Sequence, residues 1–290
     1  MLAITKSLFA QKRLLKDLVV RDLKARYVGS SMGFFWSVVF PILNLFVYMF
    51  VFNLVLNMRW SDHSSNGEVP LIMLIGILIW VAFSETVSRT TNCLVENANL
   101  IQKVVFPSEV LPIYLTGSSL VNMTLGIVVA MFGIAWFAYV DPTTFDWDVV
   151  RQNLEPGEPM PRVMRLGMPL VTLPILYVLQ AVFTIGLGYM LATLNLILRD
   201  TYHLVGVFLT VWMFGTPIFY PAALVEKAGY GWLLNLNPMY WLIDSYRDVL
   251  IYGDWPRLGF VVQFGVVAVV TFALGAAFFR SQKDRFPDLL

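Results

Sequence analysis

Charged residues are scarce in this sequence of 290 residues. Only 13% of the residues are charged, whereas about 25% is typical of a soluble domain. A soluble fold of this size could not cover its surface with so few charges, and 58% of the residues are hydrophobic. The net charge of +1 provides no field that would attract nucleic acid. The composition therefore predicts an all-α polytopic membrane protein with no nucleic-acid partner.

Residues and motifs for catalysis and metal binding are also few. The sequence contains no Gly-Lys pair, which excludes a Walker A loop and an ATP site of that type. Its single cysteine, Cys93, can form no internal disulfide. The two histidines, His63 and His203, lie far apart in the sequence, so no metal site is expected. We predict neither catalytic residues nor a cofactor in this chain.

Hydrophobic runs long enough to cross a bilayer recur along the chain. About 20 apolar residues cross a hydrocarbon core of about 30 Å, and no charged residue occurs between Tyr27 and Met58. The runs predict six transmembrane spans, at 33–57, 71–95, 110–140, 168–198, 201–216 and 258–279. We interpret 1–290 as a single transmembrane domain in which 141–168 is an exposed loop.

Two segments at the membrane surface have patterns of their own. Residues 1–32 are basic and carry leucines at helical spacing, which is typical of an amphipathic interface helix. A first span with ordinary basic flanks is the alternative. Residues 217–250 contain apolar pieces too short to span, broken by proline, glycine and charge. They predict short re-entrant or interfacial helices, which require burial in protein or a wet cavity.

The polar connector between the second and third runs, residues 96–108, has the pattern of a short amphipathic helix. Its apolar residues Leu100, Ile101, Val104 and Val105 fall on one face, and Pro107 ends the helix. A helix of this kind at the tip of a membrane hairpin is suited to docking into another protein. We interpret it as receiving force from a separate motor.

Charge predicts the orientation of the chain. Of the 20 lysine and arginine residues, twelve fall on the side of the two termini and seven on the other side. The positive-inside rule then places both termini in the cytoplasm. Glu85 and Arg89 lie four residues apart within the second run and can pair. The sequence leaves open whether they form a structural ion pair or line a polar path.

Six segments together resemble the type-2 ABC exporter permeases that move lipid-linked polysaccharides, above all the O-antigen exporter permeases, with the teichoic acid exporter permeases beside them. The segments are Arg21–Tyr27 leading to Gly33–Trp36, the connector Asn97–Pro112, Leu194–Asp200, Thr216–Pro221, Leu236–Met239 and Arg285–Asp288. The resemblance covers nearly the whole chain. The insert at 141–168 departs from it, because the loop is usually shorter in that family.

The resemblance implies a homodimer joined to two copies of a separate ATPase, which would hold ATP and magnesium. Residues 1–32 would be the interface helix, 96–108 the cytoplasmic coupling helix and 217–250 the outer gate helices. A glycan linked to undecaprenyl diphosphate would cross the bacterial inner membrane between the two protomers. The residues implied in coupling are Asn97, Asn99, Leu100, Lys103, Phe106, Pro107 and Glu109.

The residues expected to contact substrate fall into two groups. Basic residues at the end of the interface helix, Arg21, Lys24 and Arg26 with Tyr27 beside them, would attract the diphosphate head group and membrane lipids. Aromatic rings can stack on sugars, although a membrane-interface belt or packing explains any single ring more simply. The residues assigned to the glycan channel and gate are Trp36, Tyr48, Trp212, Phe219, Tyr220, Tyr240, Trp241, Tyr246 and Arg247.

Three alternatives remain at the level of sequence. The same fold could export a teichoic acid, a drug or a lipid. A membrane-embedded glycosyl- or acyltransferase would need converging acids; Asp244 and Asp248 share a helix face, but no partner motif accompanies them. An ATP-independent channel or carrier would leave the helix at 96–112 unexplained.

Overall fold

The computed structural model describes residues 11–26, 28, 33–60, 67–103, 106–140 and 162–290. Helices joined by irregular segments account for these residues, which confirms the all-α prediction for the described part of the chain. Tyr27, the start of the predicted interface helix, and residues 141–161 of the predicted loop lie outside the described residues.

Five helices are long and apolar enough to cross a membrane. They are Trp36–Val55, Glu68–Glu96, Val110–Val140, Met168–Ile197 and Leu258–Leu289. These helices correspond to the first four predicted spans and the last. The fifth predicted span forms the apolar helix Thr201–Phe214 of 14 residues, which is about 21 Å long at 1.5 Å per residue. The structure thus has five full-length candidate spans and one shorter apolar helix among the described residues.

We number the α-helices in chain order. They are α1 Lys12–Ala25, α2 Trp36–Tyr48, α3 Glu68–Glu96, α4 Ala98–Lys103, α5 Val110–Ala135, α6 Leu173–Ile197, α7 Thr201–Phe214, α8 Ala222–Lys227, α9 Gly231–Leu234, α10 Pro238–Leu250, α11 Leu258–Gln282 and α12 Phe286–Leu289. Helix α2 continues as the π-helix Met49–Val55, and α5 continues as Trp136–Val140. Short 3₁₀ turns, Gly33–Phe35, Met168–Thr172 and Lys283–Arg285, precede α2, α6 and α12.

Helix α3 is the centre of the bundle. It packs against α2, α5, α6, α7 and α10, and its residues Leu71, Ile72 and Ile75 have no exposed surface. Between Val69 and Phe83 this helix is apolar on every face, as expected of a helix segment buried on all sides. In contrast, α2 and α7 leave many of their apolar side chains exposed, including Phe46 and Val207. These two helices form outer faces of the single chain.

Helices α6 and α11 approach each other more closely than side chains would allow. A Cβ atom built on Gly275 of α11 would lie 2.0 Å from the carbonyl oxygen of Gly186 on α6. Small residues let membrane helices bring their backbones into contact. The two glycines therefore join α6 and α11 into one closely packed pair.

The predicted segment 217–250 forms three short helices, α8, α9 and α10. Asn237 caps α10, because its side-chain oxygen accepts from the backbone N–H of Met239 at 3.1 Å and of Tyr240 at 3.4 Å. Pro238 follows at the first helical position, where its fixed φ suits a helix start. Helix α10 then packs against α3, α6 and α11 with most of its side chains buried.

Candidate functional site

A cluster of four charges, Asp22, Arg26, Glu85 and Arg89, joins α1 to the transmembrane bundle. Arg89 of α3 donates two hydrogen bonds to Asp22 of α1, one of them at 3.1 Å. Arg26 lies 2.7 Å from Glu85 and 3.3 Å from Asp22. The predicted pairing of Glu85 with Arg89 is confirmed, at 3.6 Å. We call these four residues the charge cluster.

The charge cluster is electrically balanced and partly buried, with two carboxylates facing two guanidinium groups. Helix α5 adds hydroxyl groups, because Ser118 donates to Asp22 and Ser119 accepts from Arg26 at 3.4 Å. Burial raises the pKa of Asp22, but hydrogen bonds from Arg89 and Ser118 and the nearby arginine charges outweigh it. The pKa of Asp22 consequently lies below its ordinary value, and the carboxylate is ionised at neutral pH.

The remaining basic residues of α1 have a different environment. Arg21 and Lys24, together with Lys16 and the acidic Asp17, line a shallow surface depression of about 530 Å³. Arg26 lies outside this depression and pairs within the charge cluster. Arg21, Lys24 and Arg26 were predicted to act together on the head group. In the structure Arg21 and Lys24 are exposed, whereas the charge of Arg26 is neutralised by Asp22 and Glu85.

A cavity of about 360 Å³ lies above the charge cluster, between α2, α3 and α5. Arg26 and Glu85 form its charged end, with the hydroxyl of Ser119 in the same lining. Asn44 and Asn122 add amide groups to otherwise apolar walls. Polar groups at membrane depth normally face a protein interior or a wet path. This cavity gives the described chain a polar recess directly beside the helix that carries Arg89.

The predicted coupling residues follow α3 in the chain, so they begin at its C-terminal end. Asn97 ends α3 by donating from its side-chain amide to the carbonyl of Cys93 at 2.8 Å. Helix α4 covers only Ala98–Lys103 of the predicted 96–108, and residues 104–105 lie outside the described residues. Asn99 and Lys103 are exposed on α4, and Leu100 is half-buried.

Ile101 of α4 and the described connector residues after α4 pack onto their own chain. Phe106 and Ile101 lie against a buried group formed by Leu94, Leu111, Leu115, Tyr189, Phe279 and Phe286, which we call the connector cluster. Pro107 accepts a backbone hydrogen bond from Val110 at 3.0 Å at the start of α5. Glu109 forms an ion pair with Lys283 at 2.5 Å. Among the described coupling residues, Asn99 and Lys103 of α4 have exposed side chains, and the others are partly buried.

The residues assigned to the glycan channel do not form a single lining in one chain. Tyr48 and Phe219 meet Phe52 in an aromatic group, with ring centroids 6.1–6.2 Å apart. Trp212 instead packs edge-on against Trp80 and Phe83. Trp36 contacts Phe40 near the beginning of α2. A continuous aromatic track is not present within the described chain.

Three of the other assigned residues are buried inside the protein, and a fourth, Tyr220, is partly exposed. Tyr246 has no exposed surface and donates to Gln180 at 3.0 Å, while Tyr240 and Trp241 are also buried. Tyr220 donates from its hydroxyl to the carbonyl of Phe214 at 2.6 Å. These contacts give the four residues a packing role in the single chain, and a glycan contact for them stays a prediction.

Arg247 and Asn237 hold the segment between α7 and α10 in place. Arg247 is 3% exposed and donates to the carbonyls of Pro217 at 2.9 Å and Ile218 at 3.2 Å. Asn237 accepts from Trp212 at 2.9 Å and donates to Thr216 at 2.9 Å. No role was predicted for Asn237, although the Asn-Pro pair is a recognisable helix start.

The described residues contain no group of three or more histidine, cysteine, aspartate or glutamate side chains that could hold a metal ion. The contacts described above are ion pairs, hydrogen bonds and packing.

The chain also matches a family model built from known proteins. The family model described as "ABC-2 type transporter" matches residues 13–251. This range includes the charge cluster, α4 and the segment from α7 to α10.

Individual relatives match the chain over nearly its whole length. The O-antigen export system permease protein RfbA of Myxococcus xanthus is 29% identical over 290 residues, covering 99% of each chain. A protein of the same name from Klebsiella pneumoniae is 25% identical over 280 residues, covering 94% of this chain and 95% of its own. The polysialic acid transport protein KpsM of Escherichia coli is 19% identical, with the same coverage.

Proposed function

The chain belongs to the ABC-2 type transporter family, and from this premise we propose that it is the permease subunit of an ATP-driven exporter of lipid-linked polysaccharide. The observation that carries this proposal is the similarity to O-antigen export permeases along almost the entire chain. A match confined to one segment would support only a shared domain. The match here includes both the membrane helices and the segments between them.

The proposed exporter requires a separate ATPase. The sequence has no Walker A loop, so ATP and magnesium would bind to a partner chain. Helix α4 is the surface that we assign to this partner, because Asn99, Gln102 and Lys103 project from it as exposed side chains. Its position directly after α3 would pass a push from the ATPase to the centre of the bundle.

We further propose a homodimer with six spans per chain and both termini in the cytoplasm. Helix α7 would be the fifth span, shorter than the others, and α8 to α10 would be the re-entrant outer gate helices. The exposed apolar faces of α2 and α7 are available to lipid or to a second copy. Because α3 fills the centre of the single chain with buried side chains, a passage wide enough for a glycan is better placed between two copies.

The proposed substrate is a long glycan attached to undecaprenyl diphosphate. The depression lined by Lys16, Arg21 and Lys24 supports recognition of the diphosphate, since clustered basic side chains attract anionic groups at a membrane surface. We assign a smaller part to Arg26, whose charge is offset by Asp22 and Glu85. The partly exposed aromatic group of Tyr48, Phe52 and Phe219 is our candidate for transient stacking on sugars.

Deletion of the gene in its host tests this function. We expect the surface polysaccharide to disappear and the undecaprenyl-linked polymer to accumulate at the cytoplasmic face, because synthesis continues while export stops. Surface glycan and lipid-linked intermediate would be measured together, with the wild-type gene supplied in trans as the control. An unchanged surface coat without an intermediate would contradict polysaccharide export and favour a drug or lipid cargo.

A further inference from the structure

The segment after the last span turns back onto the connector. Helix α12 packs against α4, and Phe286 at its beginning is 1% exposed within the connector cluster. The ring of Phe286 lies 5.0 Å from that of Phe279 on α11, at 80° to it. The same cluster receives Ile101 of α4 and Phe106. One buried group thus contacts the connector, the ends of α3 and α5, and the end of α11.

An ion pair joins the same two parts of the chain. The Nζ atom of Lys283 lies 2.5 Å from Oε1 of Glu109, although 174 residues separate them. The other oxygen of Glu109, Oε2, is buried and has no hydrogen-bond partner among the described residues. Lys283 is therefore the principal partner of a largely buried carboxylate. A pair in this position is screened less by salt than a pair on an open surface.

Glu109 is also tied to α6. The hydroxyl of Tyr189 donates to the backbone carbonyl of Glu109 at 2.9 Å. Since α6 and α11 are in backbone contact at Gly186 and Gly275, both partners of the ion pair are anchored to the same pair of helices. A displacement of the connector would act on α6 and α11 through these contacts.

We propose that Lys283 and Phe286 are positioning residues that transmit movement of α4 to the last span. This inference rests on the proposed function, in which an ATPase pushes on α4. The connector already continues directly into α3 and α5, so a push reaches these helices through the backbone. The contacts of Lys283 and Phe286 extend the same push to α11, which has no direct chain connection to α4.

Charge exchange at the ion pair tests this proposal. We expect Lys283→Glu and Glu109→Lys each to reduce the glycan exported per ATP hydrolysed about tenfold, because each places like charges in contact. The double variant Lys283→Glu with Glu109→Lys should recover to within about threefold of wild type, as expected for residues that couple directly. Arg280→Glu, an exposed charge reversal one turn earlier on α11, is the matched control and should leave the ratio unchanged.

A pair of apolar variants provides an independent measurement. Phe286→Ala should lower the same ratio, whereas Leu289→Ala, at a side chain 38% exposed on the same helix, should not. All ratios are normalised to the amount of permease in the membrane and to the amount of ATPase bound to it. Normalisation separates loss of transmission from loss of the protein or of its partner.

The outcomes distinguish this inference from the function on which it rests. If wild-type protein shows no ATP-dependent glycan export, the proposed function fails and the inference fails with it. If wild-type protein exports but both charge reversals keep its export per ATP, the inference alone is overturned. Reversals that lose export and are not rescued by the exchange, at normal protein and ATPase levels, would also overturn it. Rescue by the exchange supports it.

Discussion

Substitution of Asp22 by asparagine is expected to destabilise the chain and to abolish export. The change keeps the shape of the side chain but leaves Arg26 and Arg89 facing the single carboxylate of Glu85. Breaking a buried ion pair by removing one partner costs about 3–5 kcal/mol. We expect about 3 kcal/mol here, the lower end, because the Arg89 side chain is 32% exposed. Thermal unfolding in detergent should show a midpoint about 5–10 °C lower.

Two further variants make this test specific. Asp17→Asn removes an exposed carboxylate from the same helix and should leave the unfolding midpoint unchanged. Asp22→Asn combined with Arg89→Gln removes both charges of one pair and should recover part of the loss, because no uncompensated charge remains. Equal midpoints for Asp22→Asn and Asp17→Asn would show that the charge cluster does not hold α1 to the bundle.

The pKa of Asp22 determines the pH range in which this contact persists. Because the folded-state pKa is lowered, the stabilisation is fully present above the unfolded value of about 3.9. It is lost only as the pH falls through the lower folded-state value. Mild acidification to about pH 5 is therefore not expected to release α1 through this carboxylate.

Charge reversal at Lys103 is expected to have the second large effect, on binding of the ATPase. Lys103 is exposed at the end of α4, and its replacement by glutamate removes no side-chain hydrogen bond or ion pair with another described residue. We expect Lys103→Glu to weaken co-purification of the ATPase by about tenfold or more, since misplaced charge at an interface can cost several kcal/mol. Membrane insertion and thermal stability of the permease should not change.

The matched control for Lys103 is Lys227, which is exposed on α8 and lies on the proposed outer side. Lys227→Glu should leave ATPase binding unchanged. Phe106 is less suitable for this test, because its ring packs on the connector cluster and an acidic replacement would also disturb the fold. Undiminished ATPase binding by Lys103→Glu would argue against α4 as the docking surface.

Local patterns in the sequence predicted much of the fold. Long uncharged runs have few alternatives to a membrane helix, and the structure places apolar helices at all six predicted runs. The start of α10 also has a local signal, although no cap was predicted there: Asn237 can cap a helix and Pro238 suits its first position. Helix ends were less accurate: a helix was predicted over 96–108, but α4 is described over Ala98–Lys103 and Phe106 and Pro107 are not helical, while residues 104–105 lie outside the described residues.

Contacts distant in sequence could not be read from these patterns. Glu85 and Arg89 were recognised as an i, i+4 pair, but their partner Asp22 lies 67 residues before Arg89. Nothing in the local sequence of Lys283 indicates Glu109. The aromatic residues show the same limit. Tyr48 and Tyr246 were both assigned to the glycan channel and gate from the sequence, but of these two only Tyr246 is fully buried. Burial and long-range pairing depend on how helices pack, which one sequence does not specify.

ATP-dependent movement of lipid-linked glycan in inside-out membrane vesicles tests the central claim most directly. Vesicles containing this permease and its ATPase would be loaded on their outer, cytoplasmic face with the undecaprenyl-linked polymer. Access of an added glycosidase to the glycan would then be followed. The account predicts that the glycan becomes protected when ATP is added, and that vesicles with Lys103→Glu protect far less of it. Glycan that stays fully accessible while the permease-bound ATPase hydrolyses ATP would contradict the account.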